Sequence, residues 1–257
     1  MDLPVFTRAI VRTPGRSLVD GLTSANLGKP IYSKALDQHN AYIEALQDCG
    51  LEVEVLPPLE EYPDSCFIED VALLTAYCAI ITRPGAFSRL GEINGMREIL
   101  SRYYTALEDV QAPGTVEGGD VLVVESHYFL GLSDRTNADG ANQVISILNK
   151  YGLTGSQIPL QEILHLKTGV AYLEEKTLIA CGELLSRKEF AGFTMYEIPK
   201  EESYAANCIW INGVVLLPAG FPITSGIIQE AGYPVREVDV SEFRKLDGGM
   251  SCLSLRF

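Results

Sequence analysis

Near the C-terminus a cysteine, Cys252, follows a Gly248-Gly249 pair and opens the segment Cys252-Leu253-Ser254-Leu255-Arg256-Phe257. Apolar residues alternate along that segment, which predicts a β-strand with one buried face. The paired glycines permit positive φ and close backbone approach, so the strand can start abruptly with Cys252 at its mouth. A thiol placed there can act as a nucleophile if a base lies nearby. It can equally be a small buried hydrophobe, as most free cysteines are. The chain has three histidines, of which His39 falls in an amphipathic helical stretch and His127 near a hairpin turn. His165, in "LHLKTG", is the candidate base, and Glu117, in "TVEGGD", the candidate orienting acid. Cysteine, imidazole and carboxylate form the nucleophile, base and orienter arrangement of hydrolytic triads. A nearby cation would lower the thiol pKa, and the imidazole could protonate a leaving amine and later take a proton from water.

A second group of residues suggests the substrate. Asp64, Glu69 and Asp70 crowd the stretch "PDSCFIED". A planar, multi-donor cation such as a guanidinium needs carboxylates that can engage it bidentately. Arg89 in "FSRLGE" and Arg135 in "SDRTNADG" lie near the starts of two predicted helices. Together they suggest a clamp for an α-carboxylate, although either could be an ordinary surface arginine.

These residues lie far apart in sequence, and a repeat in the fold would bring them together. One phrase recurs: a helical stretch, in most copies a glycine-containing turn, then a short strand. It appears at 49–57, 106–113, 152–160, 192–199 and 232–239, starting 57, 46, 40 and 40 residues after the preceding copy. After each of the first four comes a polar loop and an apolar segment, at 69–84, 119–133, 168–182 and 206–220, that reads as two strands with a tight break. In the last of these the break is Asn212-Gly213, the strongest short hairpin signal. The unit is therefore strand, strand, helix, strand, in the range of closed repeat architectures. Four units lie whole in the chain. The fifth is split between the strand of Cys252 and the N-terminal segment "AIVRTPG", the helix of residues 33–50 and "LEVEVL". That helix places Ala35, Ala41, Tyr42, Ala45 and Leu46 close to an i, i+3, i+4, i+7 stripe. The expectation is one α/β domain over residues 1–257, a closed ring of five pseudo-symmetric ββαβ units. At the heads of the five first strands stand Asp70, Glu117 with Asp120, His165, Asn207 and Cys252, separated by 47, 48, 42 and 45 residues. In such a ring equivalent strand ends converge on the axis, which brings these groups to one cleft.

Composition restricts the partners. Twenty Lys and Arg against 34 Asp and Glu give a formal charge of −14, which disfavours nucleic acid and anionic membranes and suits a cationic small substrate. The six cysteines show no CxxC pair, so neither a disulfide framework nor a zinc site is expected. No apolar run approaches ~18 residues and the N-terminal stretch lacks a signal peptide's apolar region, so the expected setting is the reducing cytoplasm.

The motifs "PDSCFIED", "ITRPGAFSRLGE", "APGTVEGGD", "GLSDRTNADG", "HLKTG", "EESYAANCIW" and "LDGGMSCLSLRF" closely resemble those of bacterial dimethylarginine dimethylaminohydrolases. These belong to the guanidine-modifying, pentein superfamily with a five-bladed α/β-propeller fold, and the resemblance spans essentially the whole chain. It implies Cys252 as nucleophile, His165 as general acid/base and Glu117 as its orienting partner. It further implies Asp70 with Glu69 as guanidinium holder, and Arg89 and Arg135 as α-carboxylate clamp. Asp64 with the backbone carbonyls of Leu22 and Leu246 would form the α-amino site, bordered by Asp247, and the loop around Leu22 could act as a lid. The implied substrate is a methylated arginine, with no metal or organic cofactor, and a homodimer is left open. Arginine and agmatine deiminases and amidinotransferases share the Cys, His and acid set and remain alternatives, as does a non-catalytic propeller that binds a partner. The short chain, the "SCLSLRF" ending and the two arginines favour the methylarginine hydrolase.

Overall fold

The computed structural model describes residues 5–257; residues 1–4 of the expected domain lie outside it. Among the described residues, fifteen short strands form five three-stranded sheets. The first unit contains β3 (Ala72–Leu74), β4 (Ala79–Ile81) and β5 (Leu107–Asp109); the second β6 (Val121–Val124), β7 (His127–Leu132) and β8 (Thr154–Pro159). The third contains β9 (Val170–Tyr172), β10 (Thr177–Ala180) and β11 (Thr194–Glu197); the fourth β12 (Ile209–Ile211), β13 (Val214–Pro218) and β14 (Val235–Val238). In each sheet the first strand pairs antiparallel with the second through a tight turn, and the second pairs parallel with the third. A parallel pairing requires a crossover connection. Helix α2 (Met96–Ser101) supplies it in the first unit, α3 (Ala138–Lys150) in the second and α5 (Pro222–Glu230) in the fourth.

The fifth unit closes the ring as expected. The C-terminal strand β15 (Leu255–Arg256) pairs antiparallel with β1 (Arg8–Arg12), which pairs parallel with β2 (Glu52–Leu56) across helix α1 (Tyr32–Asp48). The side chain of Asn212 reinforces the closure, bridging the backbone of Phe6 and the carbonyl of Cys49. At the Asn212-Gly213 hairpin both residues have positive φ, 50° and 90°, as a type I′ turn requires.

Three expectations are corrected. The third unit has no crossover α-helix: two 3-10 turns, Gly182–Ser186 and Lys188–Phe190, fill the brief stretch between β10 and β11. In α1 the stripe is carried by Ala35, Gln38, His39, Tyr42, Ala45 and Leu46, whereas Ala41 is exposed. The tail does not alternate either. Ser251–Leu253 is a 3-10 turn, and Leu253, Ser254 and Leu255 are all buried because the strand lies inside the ring. Tyr42 from α1 covers it, its hydroxyl 2.7 Å from Ser254 Oγ. Positive φ falls at Asp247 and not at Gly248 or Gly249. Those glycines are required by close approach: a Cβ on Gly248 would stand 2.2 Å from the Phe67 ring, and one on Gly249 2.5 Å from the Asn207 amide.

Candidate active site

The first strand of each unit, β3, β6, β9, β12 and β15, is the inner one, in contact with first strands of neighbouring units. Each is preceded by a helical turn: Ile68–Val71, Gly118–Asp120, α4 (Leu166–Gly169), Lys200–Ala206 and Ser251–Leu253. Polar groups in and beside these turns bond from unit to unit around the axis. Asp70 Oδ1 accepts from Gly119 N at 2.9 Å, and Asp120 Oδ1 from Leu166 N at 3.0 Å. Asn207 Nδ2 donates to the Lys167 carbonyl at 2.9 Å, and Asn207 Oδ1 accepts from Ser251 N at 2.8 Å. Ser251 Oγ donates to Glu69 Oε2 at 2.7 Å and completes the circle. The convergence expected from the repeat is thus a closed hydrogen-bonded ring.

Within it, Glu117 is buried with both oxygens engaged. Oε2 lies 2.8 Å from His165 Nε2, while Oε1 accepts from the backbone N–H groups of Gly85 and Ala86 at 3.0 and 3.2 Å. Arg135 Nη1 approaches the same Oε1 at 3.8 Å. Burial pushes the Glu117 carboxyl up, but the hydrogen bond and charge of His165, with Arg89 and Arg135, overcome it and hold the pKa at about 2. Burial likewise lowers the His165 pKa, yet its bond to Glu117 and the charges of Asp70 and Asp120 raise it to about 9. The imidazole is therefore protonated at neutral pH. Its Nδ1 edge packs over Gly119, where a Cβ would lie 2.8 Å away.

Cys252 is buried, and Gly249 N–H donates to its Sγ at 3.3 Å. Burial, followed by the charges of Glu69 and Asp70, pushes the thiol up to about 12. It rests as a neutral thiol. A cation brought against it would offset both causes, so substrate can do the activating.

The acids and arginines hold one another. Asp70 Oδ2 pairs with Arg89 Nη1 at 2.6 Å. Arg89, also buried, donates Nε and Nη2 to Glu92 at 3.0 and 2.8 Å and Nη2 to the Phe67 carbonyl at 3.0 Å. Glu92 was not singled out from the sequence, although its i+3 spacing from Arg89 is a readable signal. Burial raises the Glu92 pKa to about 7. Glu69 is fully engaged by Ser251, Lys167 at 2.5 Å and Arg256 at 3.1 Å. These four residues border a cavity of about 570 Å³ lined by the inner strands, which Cys252, His165, Glu117 and Asp70 do not line. Asp64 is buried and accepts from the Leu22 backbone N–H at 2.9 Å. Leu22 is exposed and Leu246 buried. Asp247 accepts from Ser24 N and Oγ at 2.5 and 2.9 Å, tying residues 23–25 to the segment that leads to Cys252. Asp70, Glu117 and His165 bring ligand atoms within 4.8 Å of one another, but the guanidinium on Asp70 and the proton on His165 oppose a metal cation there. The set is suited instead to acyl-type substitution at a guanidinium carbon, with a thiol nucleophile, a charged general acid and carboxylates for the substrate cation.

Comparison with known proteins agrees. Residues 24–201 match the family model described as N,N dimethylarginine dimethylhydrolase, eukaryotic. The chain is 58% identical over 254 residues to the N(G),N(G)-dimethylarginine dimethylaminohydrolase of Pseudomonas aeruginosa, covering 98% of this chain and 100% of that one. It superimposes with a TM-score of 0.98, at 57% identity, on the structure of a cysteine-to-serine mutant of the P. aeruginosa enzyme complexed with citrulline, covering 99% of this chain and 100% of that one. A histidine-to-glycine variant of a dimethylarginine dimethylaminohydrolase, solved as an adduct with S-methyl-L-thiocitrulline, gives 0.97 at 57% identity over 98% of this chain and 100% of that one.

Proposed function

The chain belongs to the dimethylarginine dimethylaminohydrolase family, and from that premise we propose how its own residues turn Nω,Nω-dimethylarginine into citrulline and dimethylamine. Nω-monomethylarginine, with the same guanidinium, would give citrulline and methylamine. Asp70 holds the guanidinium, and Glu69 supports it from behind through its bonds to Ser251, Lys167 and Arg256. Arg135 carries most of the α-carboxylate clamp, since Arg89 is already spent on Asp70 and Glu92 and adds only its remaining Nη1 hydrogen. Asp64, with the carbonyls of Leu22 and Leu246, takes the α-amino group, with Asp247 at the border.

Binding the cation beside Cys252 favours the thiolate, and the thiol proton leaves to solvent. The sulfur attacks the guanidinium carbon, forming a C–S bond. His165 gives its proton to the departing nitrogen, the C–N bond breaks and dimethylamine leaves, so that a thiouronium on Cys252 remains. A water then attacks that carbon, passing a proton to the now neutral His165. The C–S bond breaks, citrulline departs with its hydroxyl proton released to solvent, His165 is left as imidazolium, and the thiolate regains a proton from solvent once the substrate cation is gone.

The observation that carries this reading is the buried Glu117–His165 pair, which keeps a general acid charged at neutral pH. The six free cysteines suit a cytoplasmic setting, and among the described residues no helix is long and apolar enough to cross a membrane. A deiminase of arginine shares the triad, while an agmatine enzyme would offer Arg135 no substrate carboxylate. Assay of citrulline from dimethylarginine and arginine, and of the corresponding ureido product from agmatine, tests the assignment. Turnover of the methylated substrate is expected, and turnover of arginine alone would move the protein to the deiminases.

A further inference from the structure

Asn207 stands at the head of the fourth unit's inner strand, and the mechanism above gives it no task. Its side chain is nevertheless placed between the two turns that carry the chemistry. Oδ1 accepts from Ser251 N at 2.8 Å, one residue before the nucleophile. Nδ2 donates to Ser251 Oγ at 3.1 Å and to the Lys167 carbonyl at 2.9 Å, two residues after His165. The face of the amide packs on Gly249, whose N–H holds the Cys252 sulfur. Asn207 is buried, so no water can easily substitute for these bonds.

We propose that Asn207 is a positioning residue that sets the spacing between the Cys252 nucleophile and the His165 general acid. The proposal rests on the roles assigned to those two residues. An amide suits this place because it needs an acceptor toward Ser251 N and donors toward two oxygens on one flat group. Leucine has the shape and neither function. Ionised aspartate keeps the acceptor and turns an anionic oxygen toward the Lys167 carbonyl, whereas protonated aspartate regains one donor.

The test is the steady-state kinetics of Asn207→Leu and Asn207→Asp beside the wild type, on dimethylarginine from pH 5 to 9, with thermal melting of each. In Asn207→Leu, kcat is expected to fall about 10²-fold, the scale of a misplacement near 1 Å, with KM changed less than about threefold. In the isosteric Asn207→Asp the ratio of its kcat to that of the wild type rises as pH falls and the carboxyl is protonated. If Asn207→Leu does not fold, that ratio decides alone. A ratio near unity at every pH, or equal losses in kcat and melting temperature without a pH trend, overturns the proposal. An inactive wild type would instead overturn the reaction assignment, so the two failures are distinguishable.

Discussion

His165 Nε2 lies 2.8 Å from Glu117 Oε2, and the opposite oxygen of Glu117 is fixed by two backbone N–H groups, Gly85 and Ala86. The carboxylate is thereby fixed and the imidazole is bonded to it, so the pair acts as one proton-holding unit. In Glu117→Gln the imidazole keeps a neighbour but loses the charge that holds its proton. The general-acid contribution of about 10²–10⁴ in kcat is expected to be largely lost at neutral pH. The alkaline limb of kcat, governed by His165 at about 9 in the wild type, shifts toward the ordinary histidine value of about 6.5. A kcat–pH profile checks this.

The same pair links pH to stability. His165 is raised in the folded state to about 9, so it stabilises fully below its unfolded value of about 6.5 and that stability is lost as pH rises through 9. Unfolding free energy should fall across this window with a limiting slope of about 1.4 kcal/mol per pH unit. Denaturant titrations of wild type and His165→Gln at a series of pH values read it as a slope present in the first and absent in the second. Below this window Glu117 acts oppositely: held at about 2, it stabilises above its unfolded value of about 4.3 and that gain is lost as pH falls toward 2.

The two glycines before β6 fail differently when given a side chain. A Cβ on Gly118 would meet the backbone carbonyl of Glu69 at 2.0 Å, and one on Gly119 the His165 ring at 2.8 Å. Gly118→Ala is expected to lower the melting temperature sharply, because backbone must shift. Gly119→Ala is expected to fold and lose activity, because an imidazole can move. Paired melting curves and kcat values separate them.

Arg89 and Arg135 also part company. Arg89 is buried between Asp70 and Glu92, and Arg89→Ala leaves two carboxylates without it, at a cost of about 3–5 kcal/mol in stability. Arg135 has a side chain 24% exposed. Arg135→Ala should keep the fold and raise KM for dimethylarginine about 10- to 100-fold, the worth of a charged hydrogen bond. Urea melts and KM values decide it.

The ring was legible in the sequence because its signals are periodic. The five phrases recur at spacings in the range of closed arrays, the Asn212-Gly213 turn marks one of the hairpins, and the heads of the inner strands follow from that register. What was not legible has no period. Lys167, Ser251 and Arg256 matter through bonds across units, which no local spacing encodes, whereas Glu92, three residues from Arg89, carried a local signal. The tail misled because Leu253, Ser254 and Leu255 are enclosed on all sides, so alternation there marked no solvent face. Of the two reasons read for the glycine pair before Cys252, positive φ does not apply and close approach does, to Phe67 and Asn207.

The central claim is that Cys252 forms a covalent bond to the guanidinium carbon. Acid quenching of wild type during turnover of dimethylarginine, followed by peptide mass spectrometry, tests it most directly. The account predicts an adduct on the peptide carrying Cys252 whose mass is that of the substrate less dimethylamine, absent in Cys252→Ser along with citrulline release. Undiminished citrulline release by Cys252→Ser would contradict it.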